Sequence, residues 1–160
     1  VHEEATMSAA IKNVALGCPP AEIHGFPKKK LGIHTDLHGF ISSMASNIPI
    51  DLSIVSADKA MIGTGPSNGK AVDVEGLIIV GTDPVAVDTI GARLLGFLPQ
   101  AISYLYKLHN MGLGEARPEK MKLYGVPLKD VEEAFSLRAY NKEIVLDKNG
   151  FKDIHGTKPK

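Results

Sequence analysis

The spacing of apolar residues along the chain predicts five helices. In each of them the apolar positions recur every three or four residues, as on one face of an amphipathic helix. Thr35 or Asp36 is expected to cap the second helix. Asp83 is expected to cap the third, with Pro84 at the first helical position, where no N–H partner is needed. The predicted helices cover residues 3–17, 34–49, 82–97, 99–114 and 128–135.

Short apolar runs predict the strands, over residues 51–58, 76–81 and 120–125, with an edge strand over 141–147. Strands interleaved with helices are typical of a layered α/β domain. The connection between the first two strands is too short for a helical crossover, so we expect a mixed central sheet with flanking helices. Residues 1–150 are assigned to a single α/β domain, and the remainder, 151–160, to a flexible tail.

Composition and charge exclude several classes of function for this chain. The 18 basic residues are balanced by 18 acidic ones, so the chain lacks the positive charge of a general nucleic-acid-binding protein. No apolar stretch reaches the ~18 residues that span a membrane, so no membrane partner is expected. A single cysteine, Cys18, excludes an iron–sulfur cluster ligated by this chain alone, and a cytoplasmic location fits best. The abrupt start at Val1 suggests a segment of a longer polypeptide.

Residues 61–70, MIGTGPSNGK, form the densest glycine- and proline-containing stretch, which we call the glycine loop. It matches neither common phosphate-binding motif: Thr64 stands where a Walker A loop needs glycine, and Asn68 where the dinucleotide fingerprint needs one. Its glycines still permit positive φ and close backbone approach, and Pro66 stiffens the turn. The stretch is therefore either an anion-binding nest of backbone N–H groups or a plain connection between strands. These glycines are Gly63, Gly65 and Gly69.

Three aspartates stand near the ends of the first two predicted strands. Asp58 follows the first strand, Asp83 follows the second, and Asp88 lies in the helix after it. If the strands are parallel, Asp58 and Asp83 share the carboxyl edge, where α/β domains bind ligands; if antiparallel, they lie at opposite ends. Asp88 is unusual because aspartate is a poor helix former past the first turn, so it either does chemistry or pairs with Arg93 or with a partner loop.

Two further pairs are candidates for ligand binding. His34 and His38 are four residues apart at a predicted helix start and can bind one metal ion if both lie on the helix. Lys12 and Asn13 interrupt an otherwise small and apolar helix. They either hold a carboxylate or phosphate group or form a surface pair.

Several stretches resemble, in this order, the family of uncharacterised proteins called DUF362. The most specific motifs are GTDPVAVD (81–88) and GxGPxxG (63–69), placed after a helix that contains Lys12 and Asn13. GLGEARPEKMKLYG (112–125) continues the resemblance, which covers roughly residues 2–126. The matching stretches are SAAIKNVALGC, IHTDLHGFISSMAS, IVSADKAMIGTGPSNGK and EGLIIVGTDPVAVDTIGARLLGF.

The resemblance implies a longer protein, in which an N-terminal α/β half or a ferredoxin-like iron–sulfur segment is the partner of this chain. It implies an anaerobic redox setting, but no particular reaction, cofactor or metal. The positions that carry the pattern are Lys12, Asn13, His34, Asp58, Gly63, Gly65, Pro66, Gly69, Asp83 and Asp88.

Two functions remain open at this stage. In the first, the chain binds a small anionic ligand, with or without a metal ion. The glycine loop, Lys12 with its neighbour, and Asp83 then hold the ligand, and Asp58, Asp88 and His34 are catalytic, as metal ligands or proton carriers. In the second, the chain is a non-catalytic scaffold for an electron-transfer partner, and Lys12 and Asp88 form a buried ion pair.

Overall fold

The computed structural model describes residues 1–20 and 32–143. Five α-helices and four strands account for most of the regular structure. The helices are α1 (Ile11–Gly17), α2 (Leu37–Asn47), α3 (Pro84–Leu94), α4 (Ser103–Asn110) and α5 (Leu128–Tyr140). The strands are β1 (Ser53–Ser56), β2 (Lys59–Thr64), β3 (Asn68–Asp73) and β4 (Ile78–Gly81).

The strands form two antiparallel pairs. β1 pairs with β4, from Ser53 opposite Gly81 to Ser56 opposite Ile78, and β2 pairs with β3. The α/β class is confirmed, but the expected mixed central sheet is wrong for the described strands, whose pairings are all antiparallel. The reason is that the chain between β1 and β4 folds into its own hairpin, so it reverses direction instead of crossing over.

This hairpin contains the glycine loop, which the sequence analysis did not assign to strands. Gly63 and Gly69 lie opposite each other across β2 and β3. Ile62 and Val72 are the buried side chains of the two strands. So few apolar positions give only a weak strand pattern, and the glycines in this stretch indicated a loop instead.

The cap residues define two helix starts as expected. Asp36 accepts a hydrogen bond from the Gly39 N–H at 2.9 Å and begins α2. Asp83 begins α3, with Pro84 at its first position. α4 is also confirmed, and α5 is longer than predicted, ending where Asn141 adopts a positive φ of 57°.

Three other expectations differ from the structure. α1 starts only at Ile11, because residues 2–6 form a turn closed by a bridge between His2 and Thr6. Residues 120–125 are not a strand, since they join no ladder. Of the predicted strand 141–147, the first three residues are irregular and the rest lie outside the described residues.

One core joins the helices to the sheets. α1, α2 and α4 contribute Ile11, Ile41 and Leu105, which are fully buried. α3 packs against β4 and against α1, α4 and α5. No helix within residues 1–20 and 32–143 is long and apolar enough to cross a membrane. The helical layer therefore fixes the start of α1, which carries Lys12 and Asn13, against α3, which carries Asp88.

Candidate functional site

Asp88 is fully buried, and both of its carboxylate oxygens accept hydrogen bonds. Oδ1 accepts from the backbone N–H groups of Ala10 at 2.7 Å and Ile11 at 3.4 Å, and Oδ2 accepts from the Tyr104 hydroxyl at 2.8 Å. The first N–H groups of a helix have no partner within the helix. Asp88 supplies that partner to α1 from another helix, and this explains an aspartate past the first turn of α3.

Burial decides the titration of this carboxyl group. Loss of hydration raises the pKa of Asp88 to about 6, although the hydrogen bonds from Ala10, Tyr104 and Ile11 oppose the rise. Burial, followed by the neighbouring charge of Asp88, raises the pKa of the Tyr104 hydroxyl well above its usual value. The predicted alternative of an Asp88–Arg93 pair is wrong, because Arg93 instead pairs with Glu132 at 2.5 Å.

Lys12 is the most unusual charged residue of the described structure. It lies in α1 with only 8% of its surface exposed, and within residues 1–20 and 32–143 it has no hydrogen-bond or ion-pair partner. Burial lowers the pKa of its ammonium group. The expected Lys12–Asp88 ion pair is wrong, since the oxygens of Asp88 contact backbone N–H groups and the Tyr104 hydroxyl instead.

His2 lies close to this lysine, and Glu4 and His34 lie close to His2. Burial is the largest cause that lowers the pKa of His2. The positive charge of Lys12 and the neighbouring His34 lower it further. His34 Nδ1 contacts the carboxylate of Glu4. The Nδ1 atom of His2 accepts hydrogen bonds from the backbone N–H groups of Glu4 and Ala5, which fixes its ring. We call these four residues, including Lys12, the Lys12 site.

The glycine loop contacts the segment that carries His2 and Glu4. The Glu3 N–H donates to the Gly65 carbonyl at 2.8 Å, and Val1 donates to the Met61 carbonyl at 2.9 Å. A Cβ at Gly65 would overlap the carbonyl oxygen of Val1. Gly65 therefore permits two backbones to approach closely, and the Gly65–Pro66 peptide is cis. Gly63 has a positive φ of 79°.

Asp83 holds a second loop as well as the start of α3. Its Oδ1 accepts from the N–H groups of Val85 at 2.8 Å and Ala86 at 3.0 Å, and its Oδ2 accepts from the Glu115 N–H at 2.8 Å. Gly114 lies so close that a Cβ there would overlap Oδ1 of Asp83. The GTDP and GLGE motifs are thus joined in space, and every described contact of Asp83 is with the protein backbone.

The remaining candidates are separated from the Lys12 site. Asp58 is exposed and follows the end of β1 opposite Ile78, whereas Asp83 follows the other end of the β1–β4 pair. Of the two alternatives left open by the sequence, the antiparallel one holds, so the three carboxylates do not converge. The exposed Asn13 donates its side-chain amide to the Ala9 carbonyl at 2.6 Å.

The side chains of His34 and His38 make different ring contacts, although both lie next to Glu4. His34 lies in a short 3-10 turn before α2 and contacts Glu4, while the ring of His38 stacks on Tyr104 with centroids 5.9 Å apart. In the part of the chain that the structure describes, no three histidine, cysteine, aspartate or glutamate side chains are grouped to hold a metal ion. The i, i+4 spacing fails because the helix begins only after His34.

Sequence reasoning missed His2, Glu4, Tyr104 and Gly114. His2 and Glu4 belong to an irregular turn, so no helical or strand period relates them to Lys12. Tyr104 sits within the predicted fourth helix, but nothing in its spacing indicates a hydrogen bond to Asp88. The glycine pair of GLGE is the one available clue to the loop at Gly114, because glycine often marks a close approach.

The fold and the site define a small α/β domain whose helix α1 carries a buried lysine beside a histidine-containing turn. Residues 1–93, more than half of the chain, match the family described as "Domain of unknown function (DUF362)". The chain belongs to the DUF362 family. The family resemblance is thereby confirmed, and its continuation over 112–125 lies outside the matched residues. No curated protein and no solved structure matches the chain.

Proposed function

We propose that the chain binds a small anionic ligand at the Lys12 site. The observation that supports this most directly is the burial of Lys12 without an anionic partner among the described residues. An unpaired buried ammonium group is costly, so such groups are normally paired with an anion. A carboxylate or phosphate group of a ligand supplies that charge.

The neighbours of Lys12 suit an oxyanion. His2 can offer its Nε2–H to an oxyanion because its Nδ1 accepts backbone hydrogen bonds, and the field of Lys12 reaches the His2 imidazole. Lysine acts as a point charge with rotatable donors, which fits phosphate and carboxylate oxygens alike. Because burial lowers the pKa of Lys12, the same group can release a proton more readily than an exposed lysine and so act as a proton carrier.

In this proposal the glycine loop and Asp88 hold the residues of the Lys12 site in place and do not contact the ligand. The glycine loop holds the backbone of residues 1–3 and thereby places His2 beside α1. Asp88 fixes the start of α1 through Ala10 and Ile11. Asp88 is fully buried, so we propose that it is a positioning residue for Lys12 and does not itself touch the ligand.

The alternative is a non-catalytic scaffold for an electron-transfer partner. Its support is that the contacts of Asp83 and Asp88 are with the protein itself, and that Gly65 and Gly114 permit close packing. The burial of Lys12 favours ligand binding over the scaffold, because a scaffold role does not explain why an unpaired charge is buried.

Replacing Lys12 with methionine tests the binding proposal. Lys12→Met keeps the length of the side chain but removes the charge, so phosphate affinity should fall at least about tenfold while stability stays equal or rises. Binding of inorganic phosphate is followed through the imidazole NMR signals of His2 and His34. Urea unfolding of the same samples gives the stability.

Lys59→Met is the matched control, because the side chain of Lys59 is 80% exposed and lies on the hairpin. It should bind phosphate as the unchanged chain does. Equal phosphate binding by Lys12→Met and the unchanged chain would contradict the proposal. A clear loss of stability in Lys12→Met, with no phosphate binding in either protein, would favour the scaffold.

We further propose that the domain works beside an iron–sulfur redox module, as the family resemblance implies. The sequence contains one cysteine, Cys18, so such a cluster takes its ligands from another part of the same polypeptide or from a partner. Protein purified without oxygen together with its natural partner should contain iron and acid-labile sulfide. Absence of both from that complex would contradict this part of the proposal.

A further inference from the structure

A slot runs along the edge of β4 that faces away from β1. One wall is β4 with its flanking residues, 76–83, and the other is the irregular segment 121–126. The slot has a volume of about 750 Å³, and we call it the β4 slot. Its floor is apolar and comes from α3 and α5: Ala86, Val87, Ile90, Leu94, Leu128 and Val131.

The β4 wall carries backbone groups with no partner in the described structure. The Ala57 N–H donates to the Leu77 carbonyl at 2.8 Å, so Leu77 and, two residues on, Ile79 direct their backbone groups toward β1. In an antiparallel pair the intervening residues direct theirs the other way. Ile78 and Val80 therefore point N–H and C=O groups into the slot, where they meet no backbone partner among residues 1–20 and 32–143.

The opposite wall has the same property. Residues 122–126 take part in no backbone hydrogen bond within the described ranges. Free N–H and C=O groups along both sides favour an extended chain as the occupant, because a strand presents its own N–H and C=O groups along both of its edges. The β4 slot is thus the place of one further strand on the layer formed by α3 and α5.

Exposed apolar side chains gather at the same place. Of the eleven large apolar side chains that are exposed in the described residues, five line the β4 slot: Ile78, Val80, Leu123, Tyr124 and Val126. In soluble proteins a cluster of this kind marks an interaction site. A strand in the slot therefore has apolar neighbours both on the floor and on the solvent side. Strands that are covered on both faces consist of continuous apolar runs.

We propose that the β4 slot binds one strand of a partner polypeptide, which adds to the free edge of β4 through backbone hydrogen bonds. The strand is about as long as the wall 121–126 and is apolar at successive positions. A charged side chain directed at the floor would be buried without a partner, so the strand carries its charges only at its ends. Addition of a strand to an open sheet edge is a common mode of peptide recognition. The proposal is independent of ligand binding at Lys12.

Hydrogen–deuterium exchange on the complete 160-residue chain tests the proposal with a synthetic peptide, Lys-Val-Ile-Val-Ile-Val-Lys with both ends blocked. Without the peptide, the amides of Ile78 and Val80 should exchange fast, because the edge is open. At saturating peptide both should exchange at least about tenfold more slowly, whereas the amide of Ile79, which faces β1, should not change. A peptide of equal length with serine and threonine in place of the apolar residues is the control and should give no protection.

A proline at the edge tests the backbone hydrogen bonds directly. Val80 and Ile54 lie opposite each other in the ladder, and their N–H groups point to opposite edges of the sheet. Val80→Pro removes a donor that faces the slot without breaking a bond to β1, so the apolar peptide should bind at least about tenfold more weakly. Ile54→Pro makes the same change at the outer edge of β1; it is the matched control and should bind the peptide as the unchanged chain does. Slow exchange of the Ile79 amide checks the folding of both variants.

Three results would overturn the proposal. The first is exchange of Ile78 and Val80 that stays fast at millimolar peptide, which needs no variant to observe. The second is slow exchange of both amides before any peptide is added, which means another part of this chain on the edge, or a second copy if the protection rises with protein concentration. The third is equal peptide affinity in Val80→Pro and Ile54→Pro, which means that the peptide binds elsewhere.

Discussion

Asp88→Ala should lower the free energy of unfolding by about 3–5 kcal/mol at pH 7. The change leaves the Ala10 N–H and the Tyr104 hydroxyl buried without their acceptor. It also removes the link from α3 to the start of α1. Urea unfolding followed by circular dichroism measures the loss.

Asp88→Asn is the matched variant, because its oxygen still accepts from Ala10 and its amide can donate to the Tyr104 oxygen. It should cost no more than about 1 kcal/mol at pH 7, since it also removes a buried charge. The two variants therefore separate loss of the hydrogen bonds from loss of the charge. Equal stability of Asp88→Ala and the unchanged chain would contradict the structural role given to Asp88.

The same pair gives a pH dependence of defined sign. Asp88 has a pKa of about 6 in the folded chain, above its ordinary value of 3.8. The folded state thus holds the proton more tightly, and this contribution to stability is complete below pH ~4 and is lost as pH rises through 6. Relative to Asp88→Asn, the unchanged chain should lose about 2–2.5 kcal/mol between pH 4 and pH 7. A difference that stays constant over this range would show that the carboxyl titrates normally.

Gly114→Ala should destabilise the chain by about 2–4 kcal/mol. The new Cβ would overlap Oδ1 of Asp83 and lie 2.6 Å from Cβ of Val85. To relieve this, either the cap of α3 or the hydrogen bond from the Glu115 N–H must break. Thermal unfolding, together with the NMR shifts of the Val85 and Ala86 amides, measures both effects.

Gly112→Ala measures the cost of a positive φ without a clash in the same loop, where Gly114 has a φ of 156°. Gly112 also has a positive φ, 74°, but a Cβ there meets nothing within 4 Å. It should cost only about 1 kcal/mol, the penalty of a left-handed residue with a side chain. If the two alanine variants lost equal stability, the close approach of Gly114 to Asp83 would not be what requires glycine.

Local chemistry explains which elements the sequence could predict. Asp36 and Asp83 act on N–H groups two or three residues away, so their capping roles are readable from the chain alone. The apolar spacing of α2, α3 and α4 is equally local. The hairpin β2–β3 was not predicted, because its buried side chains are few, Ile62 and Val72 among them. Its main contacts are backbone bonds that any residue can make.

The candidate site was predictable only in part. Lys12 and His34 were identified as unusual residues, and both lie in the Lys12 site, but their neighbour His2 comes from an irregular turn. Asp88 was identified as a residue out of place in a helix. Its partner atoms are the backbone N–H groups of Ala10 and Ile11. Every residue except proline has such a group, so the residue types at these positions do not indicate the contact.

The cap that Asp88 provides to α1 also sets an order of events during synthesis of the chain. Ala10 and Asp88 are 78 residues apart, so at 5–20 residues per second the ribosome makes the acceptor roughly 4–16 s after the donor. A seven-residue helix is unstable alone. Until Asp88 is made, the first N–H groups of α1 lack their acceptor, so α1 becomes stable only after α3 has been translated.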